Sequence, residues 1–415
     1  MAAGEVQDRT EPGAGGRIGL RQWIVFVIAF LIVLIDGYDT QVTAFAAPLM
    51  REDLGGGHGA LGLVLSAALL GGLIGGLVLG PLGDRFGRKS ILIPSLLIVM
   101  AGSLATSFAH GAAAIGLLRL ATGIGLGGLI PAAIALTAQN APPGRRASIV
   151  AMAFSGFPLG AVAGSVVGAV VLPSWGWRPL FVIGAAAPAM MLFATAALIP
   201  NSPRLAAGAG RGDEPEPVNP VPGLFAEGRG VATLLSWAIC FMGLLATYCV
   251  VSWLPTLVRS AGLPLQVAVL ASGAVNIGSV AGNGLIANLS DRVARHTPAA
   301  VGFLAGGALV AMIGLSVGSP ISVLSTCFAA GFFAVGAQLT ITGLIADFHP
   351  PRLVSTGVGW SFSVGQVGGI LGPSIAGFLL AAHLGFGVLM MLAGGLFGLC
   401  GLALLGLGAA RRRAS

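Results

Sequence analysis

The sequence predicts an all-α membrane protein with twelve spanning helices in two pseudo-symmetric six-helix halves. Three observations carry that prediction. The 415-residue chain is 56% hydrophobic and only 8% charged, with 67 glycines, whereas soluble domains carry roughly 25% charged residues. Twelve runs are apolar over about the 20 residues a spanning helix needs. A polar, proline-rich break separates them six and six. No ten-residue alternating pattern with turn signals recurs, so helices rather than a β-barrel are left to satisfy the backbone in lipid.

Taken in order, the opening 1–22 is polar and lacks the short apolar core and cleavage site of a secretory signal, so it is expected to remain as a cytoplasmic tail. The N-terminal half, 23–200, contains spans at 23–50, 61–82, 90–109, 112–138, 147–173 and 179–199. The stretch "NSPRLAAGAGRGDEPEPVNPVPGLFAEGRG", 201–230, has the composition of a flexible cytoplasmic linker. The C-terminal half, 231–408, contains spans at 231–257, 264–289, 298–317, 320–346, 354–382 and 385–408, and 409–415 forms a basic cytoplasmic tail. With the N-terminus inside, the 21 lysines and arginines all fall on the inner side except Arg51, Arg178 and Arg259, which fall outside, and Arg119, which is buried. That asymmetry predicts both termini in the cytoplasm of a multi-pass protein of the inner (plasma) membrane. The net charge of +7 is then a topology signal with some attraction to anionic lipid, and no nucleic-acid partner is expected. Cys240, Cys249, Cys327 and Cys400 lie within spans without a C-x-x-C pair and are expected to pack as small apolar residues.

The halves echo one another. "GPLGDRFGRK" (80–89) follows span two, and "ANLSDRVARH" (287–296) follows span eight at the matching place. A carboxylate in such a loop can tie the inner end of one helix to its neighbour, and Gly71, Gly72, Gly75, Gly76 and Gly80 offer the small surface that sliding helices need. A conformational gating role is therefore expected for Gly80, Asp84, Arg85, Gly87, Arg88, Asp291 and Arg292. The first loop, with Lys89 at its end, resembles the G-x-x-x-D-R-x-G-R-K signature of the major facilitator superfamily; in the second copy Ala287 and Ala294 stand at glycine positions. The resemblance implies the major facilitator fold with a midplane site. "DGYDT" (36–40), "RLATGIGLGGLIP" (119–131), "SPRL" (202–205), "WLPTL" (253–257) and "TGVGWSFSVGQVGGILGP" (356–373) are similar to the aromatic acid:proton symporters, importers of benzoate-type and phenylpropionate-type acids. The chain departs from that pattern at Gln366, where the family is expected to carry arginine, and at Gln139 and Asn201, which replace glutamates.

Only Asp36, Asp39 and Arg119 place charge inside the apolar runs, at about 2.5 to 3.5 kcal/mol each near a helix centre. The i, i+3 spacing puts both aspartates on one side of the first helix. Asp36 lies roughly 20 Å above the inner start of its span and Arg119 roughly 10 Å below the outer start of an opposed helix, so their depths coincide. An ion pair of Arg119 with either aspartate fits this geometry. Burial and a like-charged neighbour favour a neutral acid, whereas a guanidinium favours the anion. The two aspartates are thus expected to divide into a proton carrier and a permanently paired anion, with Asp36 slightly preferred as the carrier. A carboxylate substrate that takes Arg119 as its counter-ion would then favour proton uptake and lower the desolvation cost of occlusion.

Substrate contacts are expected from Arg119, Tyr38, Tyr248, Trp253, Asn276, Gln338, Trp360 and Gln366; for the aromatics an interfacial belt, and for the amides interhelical hydrogen bonds, are the structural alternatives. Asp347, His349 and Arg352 are expected in a solvated loop. His58, His110, His296 and His383 show no metal spacing, so neither a metal nor a cofactor is expected, the proton being the coupling ion. "GIGLGGLIP" follows no strand and is expected to be a helix-packing surface, not a nucleotide site. An enzyme is disfavoured because no intramembrane nucleophile–base or metal set is present. The expectation is a monomeric, proton-coupled secondary transporter importing a small aromatic carboxylate by alternating access, with proton-coupled drug or metabolite efflux on the same fold as the alternative.

Overall fold

The computed structural model describes residues 18–54, 57–142, 145–199, 220–226, 229–293, 296–316, 318–346, 348–350 and 353–414. The expected tail before residue 18, most of the linker (200–219), Arg295, Asp347, Arg352 and the side chains of Asp84 and of 409–415 lie outside that description. The described chain is helical, without a strand: α1 Leu20–Leu54, α2 His58–Phe86, α3 Arg88–Phe108, α4 Ala112–Asn140, α5 Arg146–Phe154, α6 Gly156–Trp175, α7 Arg178–Leu198, α8 Pro220–Phe225, α9 Gly230–Ser260, α10 Leu265–Arg292, α11 Thr297–Ile313, α12 Pro320–Ala330, a π turn Gly331–Val335, α13 Gly336–Ala346, α14 Val354–Ala381 and α15 Phe386–Ala414. Eleven of the described helical runs are long and apolar enough to cross a bilayer, and α11 is a shorter apolar helix.

Two spans differ from the uninterrupted helices the apolar runs predict. The fifth is broken at Ser155 between α5 and α6, where the Ser155 hydroxyl donates to the Met152 carbonyl at 2.6 Å and so competes with the helical ladder. The tenth passes through the π turn, whose Gly331 and the following Gly336 lie directly against the backbone of α10. A π turn admits one extra residue without breaking the helix, which re-aims the residues after it.

Glycine decides which helices meet closely. Gly71 and Gly75 of α2 face the α4 backbone at Leu120 and Ile124, and Gly123 and Gly127 of α4 face Ala68 and Gly72 in return. A Cβ at these positions would overlap a carbonyl oxygen, so only glycine permits the approach. The same device joins α1 to α6 (Gly37 on Phe157, Gly160 on Leu34) and α9 to α14 (Gly368 on Phe241). As expected, "GIGLGGLIP" is a packing surface.

Two ends of the bundle can be distinguished: the tail end, where α1 begins, and the far end, where it finishes. The halves meet through α2 on α14, α6 on α10 and α1 on α9. Among the described residues, the hydrogen bonds and glycine contacts of the α2–α14 and α6–α10 seams lie toward the far end. Ser66 Oγ donates to the Ile370 carbonyl at 2.6 Å and Ser374 Oγ to Ser66 Oγ at 2.8 Å. Gly62 abuts Pro373 and Gly377, while Gly273 abuts Ser165 and Gly168 abuts Val269. Toward the tail end, Gly80 of α2, Gly284 of α10 and Gly359 of α14 face open space. Among the described residues, the halves are fastened at the far end.

Candidate functional site

Helix α1 turns its buried polar groups in different directions. At about 100° per residue, Asp36 shares a face with Ala47, eleven positions on, and Ala44 and Ala47 belong to the apolar cluster that joins Leu61 and Leu65 of α2 to the C-terminal half. Asp36 therefore faces the other half. Asp39, about 60° away, faces α3 and α4. The i, i+3 pair thus straddles the boundary between the interior of the N-terminal half and the space between the halves.

The ion pair falls to Asp39. Arg119 Nη1 donates to Asp39 Oδ2 at 3.0 Å and Oδ1 at 3.2 Å, and both residues are 0% exposed. Ser103 Oγ donates to Asp39 Oδ1 at 2.7 Å. Arg119 Nη2 donates to Thr122 Oγ1 at 2.9 Å, Thr106 Oγ1 at 3.2 Å and Ser103 Oγ at 3.3 Å, while the guanidinium carbon stands 4.9 Å from the Phe181 ring centroid. Charge-assisted bonds of this kind are the strong ones, and here they saturate the carboxylate and most of the guanidinium. Asp36 is also buried but forms no hydrogen bond or ion pair among the described residues. Its charge reaches Asp39 beside it and Tyr248 of α9 across the interface.

Several residues expected to contact substrate are engaged elsewhere in this conformation. Arg119 is sealed inside the N-terminal half by Asp39 and the hydroxyl cage, so in this conformation it cannot act as a substrate's counter-ion. Tyr38 points into the same half, its hydroxyl donating to the Leu180 carbonyl at 2.9 Å and its ring lying on Gly164 and Gly184. Trp253 is fully buried in the far-end seam, with Nε1 donating to the Pro373 carbonyl at 2.9 Å and its ring 5.9 Å from that of His58. Trp360 stacks on Trp237 at 5.7 Å, and Trp237 in turn meets Phe225 of α8 at 5.6 Å. Trp360 thus belongs to an aromatic column beside the linker helix and not to the midplane.

Tyr248, Asn276, Gln338 and Gln366 all belong to helices of the C-terminal half. Tyr248 is half-buried with its ring on Gly369 of α14, one turn beyond the half-buried Gln366. Asn276 Nδ2 donates to the Ser272 carbonyl of its own helix at 2.9 Å. Gln338 sits against Gly243 of α9 and lines a small cavity. His349, expected in a solvated loop, is instead buried, with its ring against Gly357 and Nδ1 3.2 Å from the Ile345 carbonyl.

The two Asp-Arg loops diverge. Gly87 adopts φ +96°, a conformation that favours glycine, and its N–H donates to the Gly83 carbonyl at 3.1 Å to turn α2 into α3. Arg88 Nη1 lies beside Gly83. Lys89 Nζ donates to the Ala196 and Ile199 carbonyls at 2.8 and 2.7 Å, fastening this turn to the end of α7. Arg85 is exposed over the Phe86 ring. Asp291 and Arg292 are exposed on the last turn of α10 and make no hydrogen bond among the described residues, while His296 at the end of the second copy stacks on Phe348 with ring centroids 4.8 Å apart.

Sequence reasoning missed Ser103, Thr106 and Thr122, which hold Arg119, and the Ser66–Ser374 pair. Their only advance signal was spacing: Thr122 follows Arg119 by one turn, and Ser103 and Thr106 are one turn apart.

A two-half bundle of membrane-spanning helices, fastened at one end and with buried charge at its midplane, has the build of a multi-pass membrane transporter. Residues 29–373 match the Major Facilitator Superfamily. The chain is 34% identical to a gallate transporter of Pseudomonas putida over 96% of this chain and 94% of that protein. It is also 34% identical to the 4-hydroxybenzoate transporter PcaK of the same organism, over 85% and 84%. A crystal structure of a D-xylose-proton symporter shares the fold, with a TM-score of 0.74 at 18% identity over 92% of this chain and 97% of that one. The chain belongs to the Major Facilitator Superfamily, among its aromatic-acid transporters, and is not an enzyme.

Proposed function

We propose that this transporter imports an aromatic carboxylate together with a proton, by alternating access, with Asp36 as the proton carrier. The observation that supports this most directly is the unequal surroundings of the two acids: Asp39 is held by Arg119 and Ser103, whereas Asp36 is buried without such a partner and faces the other half. The names of the relatives supply the substrate class.

Coupling on this reading needs no exchange of Arg119. An ionised Asp36 and a substrate carboxylate repel in a space of low dielectric, so a proton on Asp36 admits the anion and the anion retains the proton; the two binding events favour each other by linkage. Tyr248, Asn276 and Gln366 supply hydrogen-bonding groups around the carboxylate. With one proton per monoanion the cargo is neutral, so the pH gradient drives uptake and the membrane potential, which acts on net charge moved, does not.

The tail end, carrying Arg21, Arg85, Arg88, Lys89, Arg145, Arg146, Arg229 and Arg292 against Arg51, Arg178 and Arg259 at the far end, is assigned to the cytoplasm by the positive-inside rule. The far-end fastening then corresponds to an inward-facing state of a monomer in the inner membrane. The test is uptake of labelled 4-hydroxybenzoate, gallate and benzoate into vesicles with an imposed inward proton gradient. Wild type should concentrate at least one acid, and Asp36→Asn should equilibrate it without concentrating it. Full accumulation by Asp36→Asn would remove Asp36 as the carrier.

A further inference from the structure

The C-terminal half contains a cavity of about 90 Å³ between α9, α13 and α14. Cys240, Leu244, Val358 and Phe362 give it apolar walls, with Gln338 and Ser361 as its polar members. No charged side chain lines it, so it suits the ring of an aromatic acid and not its carboxylate.

The two polar members differ. Ser361 Oγ already donates to the Gly357 carbonyl at 2.8 Å. Gln338 is 6% exposed, makes no hydrogen bond among the described residues, and has its Oε1 wholly shielded beside Gly243. A buried amide without a partner is destabilising, and its Nε2, which is not shut in as Oε1 is, remains free to bond an occupant of the cavity. The π turn ending at Val335 immediately precedes the stretch carrying Gln338 and sets its rotation toward α9.

We propose that this cavity is the subsite for the substrate ring, and that the Gln338 amide recognises a hydroxyl group on that ring. Gly243, against which the amide lies, precedes Tyr248 by five residues, about 7.5 Å along the axis of α9. That separation is of the order of a benzene ring with substituents at opposite ends. A carboxylate near Tyr248 and a ring hydroxyl near Gln338 are compatible with that length; because Oε1 is shut against Gly243, it is the amide Nε2 that donates to the hydroxyl. The subsite selects hydroxylated benzoates over benzoate itself.

This inference rests on aromatic-acid import, and the experiment separates the two. In vesicles, the KM values of wild type and Gln338→Leu are compared for 4-hydroxybenzoate, 3-hydroxybenzoate and benzoate. For at least one hydroxylated acid KM should rise about tenfold with kcat little changed, and the rise for benzoate should be much smaller. Equal shifts for all three acids would overturn the subsite while leaving import intact. A second measurement needs no variant: on wild type, a hydroxylated acid should compete for uptake of its labelled form about tenfold better than 4-methylbenzoate or benzoate, which fill the cavity without offering a hydroxyl. Equal competition overturns the subsite alone, and absence of any aromatic-acid uptake overturns both proposals.

Discussion

Asp39 and Arg119 are both fully shielded, so removing either strands the other's charge. Asp39→Ala or Arg119→Ala alone should destabilise the protein by about 3 to 5 kcal/mol, whereas the paired change Asp39→Leu/Arg119→Met should recover most of the loss. Thermal unfolding of the detergent-purified variants measures this, and additive losses in the pair would exclude the mutual neutralisation inferred from their contacts. The three intramembrane charges were conspicuous in the sequence because nothing else in the apolar runs carries charge. Which aspartate pairs with Arg119 was not, because a 60° difference in direction around α1 decides it and only the packing of α3 and α4 sets that direction. The same ambiguity sent Tyr38 and Trp253 to the substrate in expectation, whereas Tyr38 packs inside the N-terminal half and Trp253 in the far-end seam. Ser103, Thr106 and Thr122 went unnoticed because hydroxyls are ordinary in spanning helices, where they bond back to their own backbone.

Among the helices, the α2–α4 contact depends on missing side chains. Gly75→Val should reduce the yield of folded transporter severalfold, measured by size-exclusion of the detergent-solubilised protein, since its side chain would meet the Ile124 carbonyl and backbone cannot yield locally. Gly395→Ala on α15 meets nothing within 4 Å and should preserve or raise stability by up to about 1 kcal/mol. Composition counted the spans well because lipid demands the same apolar length of each. It could not show the break at Ser155 or the π turn: both arise from hydrogen-bond competition and from close contact with a neighbouring helix, and neither changes hydropathy. Nor could it show that the second Asp-Arg loop stands exposed, since that depends on which end of the bundle is fastened.

At the scale of the whole molecule, α2 and α14 are joined at the far end by Ser66 and Ser374, whose hydroxyl oxygens lie 2.8 Å apart. A Ser66→Cys/Ser374→Cys pair should form a disulfide under mild oxidation, since the four native cysteines are buried. Oxidation should then abolish uptake in vesicles and reduction should restore it; unchanged uptake with the bond demonstrably formed would show that this seam need not open. The six-and-six plan was readable from the linker and the repeated loop, but which end stands closed was not, because alternating access requires one sequence to suit both arrangements. The seam is fastened at two small hydroxyls but also buries Trp253, Leu61 and Leu65 in one apolar cluster, so the greasy surface uncovered when it is pried apart has to be hidden again by closure at the opposite end. Its two postures can therefore lie close in energy, and ordinary thermal agitation can tip the bundle from one to the other without a nucleotide-burning motor.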